Sequence, residues 1–237
     1  MADLYVIASS KSWNKDLPAS LHAATGQRFH LISDPAEITV EYLTELSPCY
    51  VFFPHWSHII PVSVFQSFEC VIFHMTDLPF GRGGSPLQNL IAQGIYETQV
   101  SALKCVEEVD SGPIYLKRPL NLHGAAEEIY LRASETVENM ILEIIKKNTQ
   151  PTAQIGEPTF FKRRKPEQGN LLDAKSLEQV FDLIRMLDAD GYPNAFINVG
   201  NFCLEFTRAS RKAESIIADV RITLQNQKSE EKNDHYQ

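Results

Sequence analysis

The side chains best suited to chemistry gather in the stretch Cys70–Ile91, CVIFHMTDLPFGRGGSPLQNLI, and in one acid downstream of it. The apolar run Cys70–Phe73 has the character of a buried strand. It delivers His74 into a loop carrying Pro79 and the glycines Gly81, Gly83 and Gly84. Helical spacing resumes at Pro86, Leu87, Leu90 and Ile91, with Ser85 expected as N-cap and Pro86 as the first helical residue. A titratable imidazole at a strand end, followed by a glycine loop and a helix start, is a favourable place for a site in an α/β sheet. Asp110, in VEEVDSGPIYL, lies 36 positions after His74. An imidazole takes up and returns a proton near neutrality. A carboxylate beside it orients the ring and favours its cation. A lone histidine after an apolar strand is more often structural; the loop and the spaced acid turn the reading towards catalysis.

The elements that must position these groups follow from periodicity. Leu4–Ala8, Phe29–Ile32, Tyr50–Phe53 and Cys70–Phe73 read as short buried strands. Between them, Leu17/Leu21/Ala24, Val40/Leu43/Leu46 and Val62–Phe68 have helical spacing, and Gly26 is a stop for the first. This alternation predicts a Rossmann-like α/β core with a mostly parallel sheet. The first strand is not followed by GxGxxG, so dinucleotide binding has little support. Thr98–Val109 and Ile114–Lys117 suggest a hairpin with Asp110 in its turn and Gly112 at the bend. Glu127–Lys147 is a long amphipathic helix, apolar at Ile129, Leu131, Val137, Met140, Ile141 and Ile144.

After Pro151 the character changes. A basic run, Lys162–Lys165, sits behind two phenylalanines, and such a run is more often a solvated face than a binding site. A helix over Leu177–Leu187 and alternating segments near 195–199, 203–207 and 216–222 predict a small C-terminal α+β subdomain. The expected division is 1–150 for the core, 151–225 for the subdomain and 226–237 for a polar, disordered tail.

The 237 residues, 43% of them hydrophobic, suffice for a substantial core. A net charge of −8 argues against broad, nonspecific nucleic-acid binding. A local basic pocket for a phosphorylated small molecule stays open. The four cysteines lack metal-ligand spacing, and Cys70 and Cys105 read as buried free thiols. Neither a signal peptide nor a membrane-length apolar run is visible, so the chain reads most simply as cytoplasmic.

Together, Ile72-Phe73-His74, Leu78-Pro79-Phe80-Gly81-Arg82-Gly83 and Asp110-Ser111-Gly112 resemble the folate-dependent formyltransferases. That family carries Asn-x-His, a Leu-Pro loop with a glycine and a basic residue, and Asp-x-Gly. Ile72 stands where the family has its asparagine. FKRRKPEQG and LEQVFDLIRMLDADGYPNAF resemble the segment that follows the core in sugar and tRNA formyltransferases, so the likeness covers most of residues 1 to 210.

The resemblance implies a Rossmann-like formyltransferase core that uses 10-formyltetrahydrofolate as formyl donor and no metal. His74 is the implied base and Asp110 its orienting partner. The segment matching the pterin-pocket lining places His58, Ile59 and Ile60, with Leu78 and Pro79, against the donor. Arg82 and Gly83, and Trp13 and Asn14 beyond the first strand, are candidates for the acceptor; for Arg82, bracing the loop is equally open. The length and layout resemble sugar N-formyltransferases best, those of nonulosonate (pseudaminic acid-type) clusters in particular. The expected acceptor is therefore a nucleotide-linked amino sugar of cell-surface polysaccharide biosynthesis, with no nucleic-acid or membrane partner. A homodimer is left open. Alternatives are a catalytically silent folate- or nucleotide-binding relative, or a formyltransferase acting on a carrier-tethered amino acid or methionyl-tRNA. Ile72 cannot donate to a developing oxyanion; Thr76 and Asn89 are the nearest polar substitutes.

Overall fold

A computed structural model describes residues 2–225; the tail expected at 226–237 lies outside the described residues. By contact density the chain divides into two units. The first holds the residues up to Pro86, Glu97–Asn121 and Tyr130–Lys162; the second holds Leu87–Tyr96, Leu122–Ile129 and the residues from Arg163 onward. Residues 151–162, on the subdomain side of the expected boundary at 150/151, group with the first unit, and residues 87–96 and 122–129 with the second.

In the first unit, β1 (Leu4–Ala8), α1 (Leu17–Thr25), β2 (Arg28–Ile32), α2 (Val40–Leu46), β3 (Tyr50–Phe53), α3 (Val62–Ser67) and β4 (Cys70–His74) alternate as the periodicity predicts. Gly26, at φ 70°, closes α1 in the left-handed conformation that glycine takes without penalty. Thr39 caps α2, its side chain accepting from the Tyr42 N–H. Two further strands, β6 (Glu97–Lys104) and β7 (Ile114–Asn121), complete a six-stranded sheet in the order β2-β1-β3-β4-β6-β7, with β5 (Arg82–Gly83) outside it. The pairings from β2 to β4 are parallel, and those of β4 with β6 and β6 with β7 are antiparallel. Strands β1 and β3 are near-continuous apolar runs because both faces of the sheet are covered: Val6, Ile7, Ala8, Val51, Phe52 and Phe53 are all buried. Each of the larger ones contributes about 1.5–3 kcal/mol by leaving water.

The short strand β5 and α4 (Pro86–Ala92) follow β4. Ser85, expected as the N-cap of α4, takes φ 51°, outside the extended region usual for an N-cap. In α5 (Ala126–Lys147) the stripe Ile129, Ala133, Val137, Met140, Ile141 and Ile144 is buried. Leu131 is exposed instead, since it falls off that stripe.

Strand β8 (Phe160–Phe161) belongs to the first unit and pairs in parallel with β5. The second unit contains α6 (Leu177–Arg185) and an antiparallel sheet of β9 (Ala195–Val199), β10 (Phe202–Arg211) and β11 (Ile216–Leu224), with β10 in the middle. The Ser176 side chain accepts from Gln179 N–H and caps α6. Among the described residues no helix is long and apolar enough to cross a membrane.

Candidate active site

His74 ends β4, where its backbone is paired with Ser101 of β6. The ring is buried. Its Nδ1 lies 3.4 Å from Asp110 Oδ2, and its Nε2 is 2.8 Å from the Gly81 carbonyl oxygen. Both ring nitrogens therefore face oxygen acceptors. A neutral imidazole has one N–H and serves only one of them, whereas the protonated ring donates to both. Nε2 is taken by the Gly81 carbonyl in this geometry, and that contact must open for Nε2 to meet a substrate.

Asp110 reaches the ring by an unusual course. Lys104, the last residue of β6, pairs with Val71, three residues before His74. The turn that follows has to fold back along the sheet to bring the carboxylate to the imidazole. Two local features allow it. Asp110 takes φ 53°, which Asp tolerates better than most residues. At Gly112, a Cβ would stand 1.8 Å from the Lys104 carbonyl oxygen, so only glycine lets the two backbones approach. Asp110 Oδ2 also accepts from the Gly83 N–H at 2.8 Å, fixing the carboxylate between the loop and the ring.

The segment 152–161 holds this constellation from the other side. Thr152 bridges to Ile114. Gln154 Nε2 donates to the carbonyls of Asp110 (2.7 Å) and Gly112 (2.9 Å), while its Oε1 accepts from Arg82 Nη2 (2.8 Å) and Nε (3.2 Å). Thr159 Oγ1 accepts from the Gly81 N–H, and the Thr159 carbonyl accepts from the Arg82 N–H. Beneath Gly83, at φ 101°, the Phe161 carbonyl oxygen would lie 2.5 Å from an added Cβ. Gln154 and Thr159 were not singled out from sequence. Their only signal is position in a polar stretch of low pattern, and nothing in spacing connects them to His74.

Arg82 is buried, and with Gln154 on two of its nitrogens and Glu108 Oε1 3.7 Å from Nη1, it braces the loop. Gly83, a candidate for the acceptor, has its N–H bonded to Asp110 Oδ2. Leu78 is buried; its carbonyl and the Asp77 carboxylate both accept from Lys117 Nζ. Pro79 is half-buried and its carbonyl accepts from the Thr159 N–H.

His58, Ile59 and Ile60 follow β3, whose Phe53 pairs with Ile72 of β4, so their loop leaves the sheet at the same end as His74. Ile59 is 96% exposed, and the His58 ring stands edge-on to Trp56 at 5.3 Å. This apolar and aromatic rim suits a flat heteroaromatic ring. Trp13 stacks on Tyr130 at 5.7 Å and meets His55 edge-on, while Asn14 is buried with Nδ2 donating to Ser9 Oγ at 2.9 Å. These contacts place both residues in the packing around the end of β1. Burial pushes the imidazole of His55 down to about 4, with Lys11 adding to the effect, so it stays neutral as it bonds Ser134 Oγ at 2.9 Å.

Ile72 packs half-buried against the cluster of Val6, Val51, Phe53, Val64 and Cys70. Thr76 is buried, with its Oγ1 3.5 Å from the Gly81 carbonyl oxygen. Asn89 lies on α4 in the second unit. Cys70 and Cys105 are buried free thiols. Burial and the Asp110 charge push the Cys105 thiol up to about 11, which leaves it inert beside the site.

A solved structure named methionyl-tRNA formyltransferase, from Clostridium thermocellum, is 48% identical to this chain, covers 94% of it and 99% of its own chain, and superposes with a TM-score of 0.91. The chain belongs to the formyltransferase family. Residues 166–223 match the model of the methionyl-tRNA formyltransferase C-terminal domain. The formyltransferase chain spans about half the length of the curated relatives it matches: the methionyl-tRNA formyltransferase of Sulfurimonas denitrificans is 25% identical over 135 residues, 54% of this chain and 45% of the relative. A sugar N-formyltransferase from Shewanella shares the fold, with a TM-score of 0.65 at 17% identity over 92% of this chain and 96% of its own.

Proposed function

We propose that this formyltransferase moves a formyl group from 10-formyltetrahydrofolate to a primary amine, with His74 as the proton-transfer group and Asp110 as its orienting partner. The observation that carries the reading is the His74 ring held between the Asp110 carboxylate and the Gly81 carbonyl at a strand end. When bound, 10-formyltetrahydrofolate would supply the formyl carbon. The rim of His58, Ile59 and Ile60, with Leu78 and Pro79, has the chemistry to hold its pterin.

The amine must lose a proton as its C–N bond forms, and the departing nitrogen must gain one as the old C–N bond breaks. His74 takes the first proton and returns it in the second step, so no net proton is consumed. Asp110 holds Nδ1 and stabilises the cation that exists between the two steps. Negative charge on the carbonyl oxygen needs a donor that Ile72 cannot provide, and Thr76 points its hydroxyl at Gly81. The protonated His74 ring, with backbone amides, can serve as the donor to that oxygen.

For the acceptor, the names of the 48% identical structure and of the curated relatives favour the α-amine of methionyl-tRNA. A nucleotide-linked amino sugar is the second reading. The net charge of −8 favours it, because a polyanionic tRNA is held by an extended basic surface.

The test is turnover with 10-formyltetrahydrofolate against methionyl-tRNA and against UDP-, dTDP- and GDP-linked amino sugars, alongside His74→Ala. Formylated product that is lost in the variant is expected, and the acceptor that yields it decides between the two readings. Product formed equally by wild type and His74→Ala would overturn the assignment of His74. Tight donor binding without turnover on any acceptor would favour a silent relative.

A further inference from the structure

At the end of the six-stranded sheet away from His74, a cavity of about 320 Å³ opens where β3, β4 and β7 begin and β6 ends. Glu69 in its lining lies five residues before His74, about 16 Å along extended backbone, so the cavity is separate from the candidate active site. Among the described residues Glu69 and Lys104 are the only charged side chains of the lining, and both are partly exposed, at 33% and 37%. Lys104 Nζ donates to Glu69 Oε2 at 2.7 Å, and the Tyr115 hydroxyl donates to Oε1. This network ties the strand ends together, yet it leaves bonding capacity unused. An ammonium has three N–H groups, and among the described residues Lys104 Nζ bonds only Glu69. A carboxylate has about four lone-pair sites, and Glu69 uses two of them on Lys104 and Tyr115. The Tyr50 hydroxyl, in the same lining, has no hydrogen-bond partner among the described residues. Burial and the Glu69 charge push that phenol up, so it keeps its proton and stays a donor.

We propose that this cavity binds a free α-amino acid with an apolar side chain, and that its occupancy is felt at Asp110. The volume falls at the small end of ligand pockets, which run from about 300 to 1,000 Å³. A ligand with one negative charge gains at Lys104 and loses at the adjacent Glu69, and a lone cation does the reverse. A zwitterion with its charges on neighbouring atoms meets the pair without that conflict. Its carboxylate takes the spare N–H groups of Lys104 and the Tyr50 hydroxyl, and its ammonium donates to the spare lone pairs of Glu69. The Tyr50 and Tyr115 rings and Pro151 suit an apolar side chain. Two backbone routes lead from this cavity to Asp110. Lys104 begins the turn that carries Asp110: its N–H donates to the Pro113 carbonyl at 2.9 Å, and its carbonyl abuts Gly112. Thr149, Gln150 and Pro151 run into Thr152, which exchanges two backbone bonds with Ile114, and on to Gln154, which donates to the Asp110 carbonyl. An occupant that fixes Lys104 and the 149–151 wall steadies the roots of both routes.

Binding is measured by calorimetry on the full chain with neither formyl donor nor acceptor present, so the outcome does not depend on the formyl-transfer reading. The probes are L-methionine, L-leucine and L-phenylalanine, with N-acetyl-L-methionine and L-methionine methyl ester as forms that keep a single charge. At least one of the three amino acids is expected to bind with a dissociation constant below about 1 mM, and the two single-charge forms at least about tenfold more weakly than methionine. Glu69→Gln and Lys104→Met are each expected to weaken binding about tenfold or more. Because those two also remove a tie between strands, Cys49→Trp, which fills the cavity and leaves the pair intact, is the second variant and is expected to abolish binding. No binding of any of the three at about 10 mM overturns the proposal, and so does binding of the single-charge forms as tight as that of methionine. Binding that survives Cys49→Trp in a folded variant also overturns it; if that variant does not fold, the comparison of charged forms on the wild type decides. Hydrogen exchange reads the coupling: the amides of 108–113 gain protection when the amino acid is bound, and unchanged exchange there despite binding overturns the link to Asp110.

Discussion

Removing the amide of Gln154 while keeping its bulk, Gln154→Leu, separates a wedge that fills space from a bracket that holds charge. Wild-type Gln154 accepts from Arg82 at 2.8 and 3.2 Å and donates to the Asp110 and Gly112 carbonyls at 2.7 and 2.9 Å. A hydrogen bond to a charged group contributes about 1.5–3 kcal/mol and a neutral one about 0.5–1.5 kcal/mol, and these four are not independent. The larger cost is the guanidinium: Arg82 is 8% exposed, and its remaining carboxylate partner, Glu108, is 3.7 Å away. A loss of about 3–4 kcal/mol is therefore expected, lowering the urea midpoint by about 1–2 M for a slope of about 2–3 kcal/mol per molar. Asp110 also loses the donor to its backbone carbonyl, and a drift of about 1 Å in its carboxylate is expected to lower turnover about 10²-fold. The double variant Arg82→Met/Gln154→Leu carries the discriminating result. Deleting both partners removes the stranded charge, so the double variant should be more stable than Gln154→Leu alone. Additive losses in the cycle, or a cost below about 0.5 kcal/mol for Gln154→Leu, would refute the bracket.

Three further outcomes are expected. Gly112→Ala places a methyl group against the Lys104 carbonyl, so the turn must move; turnover should fall with Asp110→Asn while β1–β4 keep their exchange protection, and retained activity would show that the turn yields cheaply. His55 has a folded-state pKa of about 4 against about 6.5 unfolded, so the unfolded chain binds the extra proton and stability falls as pH drops from 6.5 towards 4, by up to about 3 kcal/mol. His55→Gln should flatten that interval in denaturant titrations, and an unchanged slope would remove His55 as its source. Ile72→Asn places an amide donor beside the His74 strand end; if a missing oxyanion donor limits the rate, turnover rises by up to about 10²-fold, at a cost of about 1–2 kcal/mol for a half-buried apolar side chain. Unchanged turnover in a folded variant would mean that the His74 cation already suffices.

Local pattern carries far in this chain. The apolar runs at Leu4–Ala8, Tyr50–Phe53 and Cys70–His74 are strands because continuous apolar side chains need cover on both faces, and helices at the intervening spacing provide it. The proximity of His74 to Asp110 was readable from a hairpin pattern and a motif. Tertiary structure alone decided what depends on distant segments meeting. Gln154 reaches Asp110 across 44 positions, and Thr159 reaches Gly81 across 78, through polar contacts that leave no periodicity. Arg82 reads equally as a phosphate ligand or a brace until its partner is known, because a guanidinium suits either. Leu131 breaks the apolar stripe of α5 by its angular position alone. The cover over the C-terminal sheet is equally invisible in sequence: Ala195 and Cys203 lie on opposite faces and both are buried, whereas Ile222 is 63% exposed. Alternation says which residues share a face, and only packing says which of the two faces is covered.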